Sequence, residues 1–317
     1  MEWIILPVVL LVLMTALVIF CFCKCFYARN NRIPDPYCNL HGEQYLAVKD
    51  KIFECTRKMD EQPYEPVYIT SFDGLKLFGR YYHHADGAPL KIIFHGYRGL
   101  ALRDASGGYT LAKALGYNVI AVDQRAHGKS QGHVITFGIR ERRDVLSWIE
   151  YANSRFGEKT PILISGVSMG AATVIMAATL PLPKNVCAIL ADCPYSTPKD
   201  IIQKVAADEH FPPRLSYPFI RIAAKLLGGF DLEETSSLEG AKCSTVPILL
   251  LHGEDDRFVP WEMSQEIHEK SNGCTTLATF PNAGHGLSYM VAPREYEAAC
   301  IGFLNSLPAL QQEDTPV

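Results

Sequence analysis

A lone serine between glycines, GVSMG at 166–170, separates the apolar run PILIS (161–165) from the small, apolar stretch AATVIMAATL (171–180). A strand that turns at once into a helix here holds the serine in a strained conformation, and glycine on either side lets the helix pack back closely. Such an elbow lifts the Ser168 hydroxyl out of the sheet and aims the first helical amides at the same point, where an anion can bind. A hydroxyl is a weak nucleophile at neutral pH, so it needs a base and a group that orients the base. Two downstream segments supply them: VPILLLHGEDDRFVP (246–260), a buried-type strand entering an acidic loop, and TFPNAGHGLSY (279–289), a strand end followed by a glycine-flanked histidine. His285 is assigned as general base and Asp256 as the orienting acid. Asp255 stays open as the alternative acid, since one residue of register is not set by sequence. Negative charge building on the substrate oxygen requires donors already in place. The Met169 amide, directly after the nucleophile, is one; the other is the Tyr97 amide, in the loop that ends the strand of LKIIFHGYRGL (90–100). His95 in that loop reads as a structural hydrogen-bonder beneath the oxyanion hole.

The chain order serine, acid, histidine and the motifs HGYRG, VDQRAHGKSQG (122–132), GVSMG, ADCPYS (191–196), HGEDDRFVP and NAGHG together resemble the α/β-hydrolase superfamily. Within it the chain is similar to serine hydrolases of bacterial type related to the esterase, monoacylglycerol lipase and serine aminopeptidase branches. The resemblance covers about residues 65–306. It implies the α/β-hydrolase fold, a mostly parallel eight-stranded sheet flanked by helices with a helical cap insertion. It also implies that Asp123, Arg125 and His127, in the loop after the fourth strand, brace the scaffold. Serine at the elbow departs from the dehalogenases and epoxide hydrolases of this fold, which use aspartate there.

The elements needed to position these residues are legible independently. PVYITSFDGLKLFGRYYH alternates around Asp73-Gly74, as two strands of a hairpin do. Apolar, β-branched runs follow at 90–95, 118–123, 161–166, 186–191, 246–252 and 275–280, most too continuous for a sheet with one wet face. Helical patterns lie between them, as in a sheet covered on both faces. The alternation is interrupted at 195–240, the expected cap, where FPPRLSYPFIRIAAKLLGGF starts a helix at Pro212-Pro213 and ends it at Gly228-Gly229. Leu215, Phe219, Ile222, Ala223, Leu226 and Leu227 are its candidate acyl-pocket residues.

Residues 3–23 form an uncharged stretch of 21 residues, enough for one helical crossing of a ~30 Å hydrocarbon core. No basic residue precedes it and no small-x-small cleavage site follows, so it reads as an anchor and not as a signal peptide. Lys24, Arg29 and Arg32 follow the span while Glu2 precedes it, which puts the catalytic domain in the cytoplasm. Ten scattered cysteines with no pairing pattern agree with that side. Residues 24–64 read as a juxtamembrane linker and packing arm, with 45–60 lying against the fold, and 307–317 as a tail. The hydrolase domain at 65–306 is expected to function without residues 1–32.

A net charge of −4 gives no case for nucleic acid, and neither zinc-ligand spacing nor a phosphate-binding glycine loop occurs, so the chemistry calls for no cofactor and no metal. The sequence therefore points to a single-pass membrane-anchored serine hydrolase acting on a small-molecule or lipid ester. A serine peptidase of the same fold and a non-catalytic binding protein are the alternatives.

Overall fold

Runs such as LKIIF and ILLLHG carry apolar residues at successive positions, so both faces of each strand must be covered, and helices supply that cover. The computed structural model describes residues 2–28, 35–38, 40 and 42–310. Its strands are β1 (Glu65–Thr70), β2 (Lys76–Tyr82), β3 (Leu90–Phe94), β4 (Asn118–Asp123), β5 (Ile162–Val167), β6 (Val186–Asp192), β7 (Ile248–Gly253) and β8 (Thr275–Phe280). They form one eight-stranded sheet in the order β1-β2-β4-β3-β5-β6-β7-β8. β2 runs antiparallel to β1 and β4, and the remaining pairs are parallel, as expected. Every residue of β3, β4, β6 and β7 is buried.

The helices, in chain order, are α1 (Glu2–Cys25), α2 (Glu43–Ala47), α3 (Lys49–Asp60), α4 (Ala101–Asp104), α5 (Ser106–Ala114), α6 (Glu141–Phe156), α7 (Met169–Ala177), α8 (Pro198–Asp208), α9 (Pro213–Ala223), α10 (Ser237–Cys243), α11 (Glu262–Lys270), α12 (Ser288–Val291) and α13 (Pro293–Asn305). α7 follows the nucleophile strand and is buried along its whole length. One core packs Trp148 and Ile149 of α6 and Val174 and Ile175 of α7 on the sheet. The opposite face is closed by Tyr296, Cys300 and Phe303 of α13.

The cap consists of α8, α9 and a π-helical turn, Ala224–Gly228. Thr197 caps α8 by accepting the Asp200 amide, and α9 opens on Pro212 and Pro213 as anticipated. Gly229 ends the turn in the left-handed region, φ 67°. The anticipated cap ran to residue 240, but α10 packs on α7 in the body of the fold. A Cβ on Gly240 would stand 2.1 Å from the Ile175 carbonyl oxygen, so the cap layer ends before Ser237.

α1 is long and apolar enough over Ile5–Cys25 to cross a membrane, by length and composition. Its last turns pack on α9 and the π-helical turn, and Phe26 just beyond is fully buried, edge-on to Phe137 and Phe230. Arg29 and Arg32, used in the charge reading, lie outside the described residues, as do 311–317 of the tail. The arm lies against the fold as anticipated, with Ile52, Thr56 and Met59 of α3 buried.

Candidate active site

The turn from β5 into α7 holds Ser168 at φ 56°, ψ −118°. A backbone so far from the ordinary basins costs about 1–3 kcal/mol and persists only where packing imposes it. The packing is visible: a Cβ on Gly166 would stand 2.2 Å from the Gly170 carbonyl carbon, and one on Gly170 would stand 2.1 Å from the Phe94 carbonyl oxygen. Only hydrogen fits at either position, so α7 crosses the end of β3 and β5 at backbone contact. The Ser168 amide is fixed by donating to the Asp192 carbonyl at 2.8 Å.

The structure brings the three candidates together. Ser168 Oγ lies 2.9 Å from His285 Nε2, and His285 Nδ1 lies 2.7 Å from Asp256 Oδ2. Asp256 Oδ1 accepts the Phe258 and Val259 amides at 2.9 and 2.8 Å. His252 Nε2 stands 3.2 Å from Asp256 Oδ2, and its Nδ1 pairs with Ser264 Oγ at 2.7 Å. Burial disfavours the Asp256 charge, but the His285 charge and the hydrogen bonds from His252 and His285 outweigh it, holding the carboxyl well below the usual carboxylate range. The register question is resolved geometrically: the Asp255 side chain is exposed, and its backbone pairs with Ala283 and Gln44. His285 follows Gly284 and precedes Gly286 at φ 64°, and its carbonyl accepts the Tyr45 hydroxyl at 2.8 Å.

Tyr97 and Met169 line the same cavity as Ser168, and among the described residues neither amide donates to a protein acceptor. Gly96 donates to Asp104 Oδ2 at 3.1 Å, fixing the loop before Tyr97. His95 lies beneath it as anticipated: its Nδ1 pairs with the Gly96 carbonyl at 2.8 Å, and its Nε2 accepts the Gln124 amide at 3.0 Å. His127 does the same on the other side, Nδ1 pairing with the Arg125 carbonyl at 2.8 Å and Nε2 accepting the Arg98 amide at 3.0 Å. Burial pulls both imidazoles down, His127 to about 3, so both stay neutral and keep an acceptor nitrogen under the loop. Arg125 is gripped by Asp144 at 2.6 and 2.7 Å and by Asp73 at 3.0 and 3.1 Å, the bracing role expected of that segment.

Two cavities meet at Ser168. One, of about 400 Å³, runs beneath the arm past Lys91, Arg103, Asp104 and Asp192. Burial raises Asp192 to about 6 and lowers Lys91, whose Nζ donates to the Gly108 carbonyl at 3.2 Å. The other, of about 480 Å³, lies under α9 and presents mainly apolar surface, with Lys24, Arg98, Glu209 and Ser216 also on its lining. Of the six candidate pocket residues, Leu215 and Phe219 line it. Ile222 lies in a separate, polar groove, Ala223 is buried in packing, and Leu226 and Leu227 are exposed.

Sequence reasoning missed the contribution of α1. The Tyr97 hydroxyl donates to the Cys25 carbonyl at 2.8 Å, and Arg98 Nη2 donates to the carbonyls of Lys24 and Tyr27 at 3.0 and 3.3 Å. The end of α1 and Tyr27 are thereby tied to the loop that carries the Tyr97 amide. It also missed Tyr45, Lys91 and Asp192, for which no local pattern exists. His252, four residues before Asp256, had the only legible signal. Cys193 Sγ and the ligand atoms of Asp256 and His285 lie within 4.8 Å of one another, but burial keeps the Cys193 thiol well above its usual range, a neutral packing group.

Residues 92–299 match a family model described as the alpha/beta hydrolase family. The chain is 27% identical over 260 residues to protein YqkD of Bacillus subtilis, spanning 81% of this chain and 83% of that one. It is 28% identical over 172 residues to the lysophosphatidylserine lipase ABHD12 of Danio rerio, spanning 51% of this chain but only 41% of that protein. Among solved structures, the Pyrococcus furiosus esterase Pf2001 superposes with a TM-score of 0.62 at 26% identity, covering 79% of this chain and 95% of that one.

Proposed function

The chain belongs to the alpha/beta hydrolase family, and on that premise we propose that it is a serine hydrolase that cleaves carboxylic esters through an acyl-enzyme, held at a membrane by α1 with its catalytic domain on the cytoplasmic side. The observation that carries this reading is the proton path from Ser168 Oγ to His285 Nε2 at 2.9 Å and from His285 Nδ1 to Asp256 Oδ2 at 2.7 Å. As Ser168 attacks the ester carbonyl, its proton passes to His285, and Asp256 holds the ring in the acceptor tautomer and balances the imidazolium. The amides of Tyr97 and Met169 receive the negative oxygen. His285 then gives the proton to the departing alkoxide, and water, deprotonated by the same ring, releases the acid. A relative named a lipase and a structural neighbour named an esterase support ester cleavage. The mainly apolar surface of the cavity beside Ser168 suits an acyl group.

The test is fluorophosphonate labelling of the full-length protein in detergent, followed by a chain-length series of p-nitrophenyl esters. Labelling and ester cleavage are expected in the wild type and absent from Ser168→Ala. A folded wild type that takes no label would move the chain to the binding-protein alternative.

A further inference from the structure

The apolar cavity is bounded on one side by the cap and on the other by the helix read as the membrane span. α9 presents Pro212, Leu215, Ser216, Phe219 and Ile220 to it, the three- and four-residue spacing of a single helix face. α1, which packs on α9, contributes Leu17, Phe20 and Cys21 to the same cavity, and Ser168 and Met169 also line it. The far face of α9 is polar, with Arg221 paired to Asp231 and Glu233.

Length then decides where this cavity sits. Ile5–Cys25 extends about 30 Å at 1.5 Å per residue, the full depth of a hydrocarbon core. Residues from Leu17 onward, however, are already engaged with the domain, so the free part, 5–16, extends only about 18 Å. For the helix to cross, the part of the domain around its last turns must sink about 12 Å into the apolar layer. The part that sinks is fitted for it. Phe211 and Leu215, which line the cavity together with α1, are 50% and 69% exposed, and Leu226 and Leu227, in the π-helical turn that packs on α1, are 75% and 46% exposed, apolar surface that water disfavours and lipid does not. The second cavity leads from Ser168 in another direction, past Lys91, Arg103 and Asp104, and suits a polar leaving group.

We propose that the acyl chain of the substrate lies between α1 and α9 and enters sideways from the bilayer, so that the membrane span is one wall of the active site. The substrate class is a long-chain acyl ester of a polar alcohol, resident in the membrane. This rests on the serine-esterase reading and on α1 as a span. At about 480 Å³ the cavity is of the size that encloses most of a small ligand.

The test uses the full-length protein in phosphatidylcholine vesicles. A long-chain alkyl fluorophosphonate with a diazirine at the far end of its chain is allowed to react, the sample is irradiated and digested, and the cross-linked peptides are sequenced. The Ser168 peptide is expected to be joined through the probe to peptides containing residues 17–25 or 211–220. A labelled Ser168 whose probe is joined instead to Tyr45, Ile52 or Met290 beneath the arm, or to phospholipid alone, overturns the proposal while leaving the serine-esterase reading intact. Failure to label Ser168 at all removes that reading, and the proposal with it.

Discussion

Asp256→Asn turns one carboxylate oxygen into an NH2 donor, removes the charge and changes almost no volume, and the geometry predicts which way the new amide must turn. Oδ1 of Asp256 accepts two backbone amides, from Phe258 at 2.9 Å and Val259 at 2.8 Å, in a buried position. If the asparagine NH2 took that side, three donors would face one another without an acceptor, at about 1–3 kcal/mol for each buried group left unpaired. The carbonyl oxygen therefore stays on the Phe258 and Val259 side, and the NH2 replaces Oδ2, 2.7 Å from His285 Nδ1. A donor there makes Nδ1 the acceptor and forces the ring proton onto Nε2, the nitrogen 2.9 Å from Ser168 Oγ. The base then faces its nucleophile with a proton already in place, and the imidazolium formed in the reaction has lost its counter-charge. On the proposed mechanism kcat should fall by about 10³–10⁴, or about 4–5.5 kcal/mol of barrier. The assay is p-nitrophenyl butyrate turnover near neutral pH, with the fluorophosphonate labelling rate as a second readout and a thermal melt to verify folding. Asp255→Asn, whose side chain is exposed and makes no hydrogen bond to the His285 ring among the described residues, serves as control and should stay within about twofold. A folded Asp256→Asn protein retaining more than about a tenth of wild-type kcat would refute the reasoning.

Gly170→Ala should be among the most damaging single-methyl changes in the molecule: the new Cβ would stand 2.1 Å from the Phe94 carbonyl oxygen, a backbone atom that cannot rotate away. α7 must part from β3, at a cost of at least about 1–3 kcal/mol, seen as a lowered melting temperature together with slower Ser168 labelling, and an unchanged melt would count against the close approach. His127 makes stability pH-dependent. Its folded value is pulled by burial to about 3, against about 6.5 in the unfolded chain, so the unfolded state binds the extra proton between these limits. Its contribution is therefore complete above about pH 6.5 and is lost at about 1.4 kcal/mol per unit as pH falls toward 3, about 2 kcal/mol by pH 5. Thermal melts at about pH 7.5, 6 and 5 should show a shallower acid slope for His127→Gln than for the wild type, and equal slopes would show that the histidine is not held neutral.

The chemistry was written locally and was therefore readable locally. Each feature that predicted the sheet is a short-range consequence of covering both strand faces, so the runs at 90–95, 118–123, 161–166 and 275–280 correspond to β3, β4, β5 and β8 within a residue. The elbow was legible for the same reason: two glycines spaced around one serine answer to a steric demand within five residues, and the structure shows the backbone contacts that impose it. A packing arm at 45–60 was expected from a short helical stretch between prolines, and α3 buries Ile52, Thr56 and Met59 against the fold.

Assembly across long separations was another matter. Whether Asp255 or Asp256 meets His285 depends on which carboxylate the turn after β7 points inward, decided by amides at Phe258 and Val259 and by His252 beneath. The Tyr45 hydroxyl reaches the His285 carbonyl across 240 residues, and no periodicity encodes that pairing. Least legible was the docking of α1 on the domain. An unbroken apolar segment is the same string whether lipid or a cap helix covers its last turns, because hydrophobic burial has no direction and names no partner. Only the tertiary structure docks α1 against α9, ties its carbonyls to Tyr97 and Arg98, and places Leu17, Phe20 and Cys21 on the cavity that Ser168 also lines.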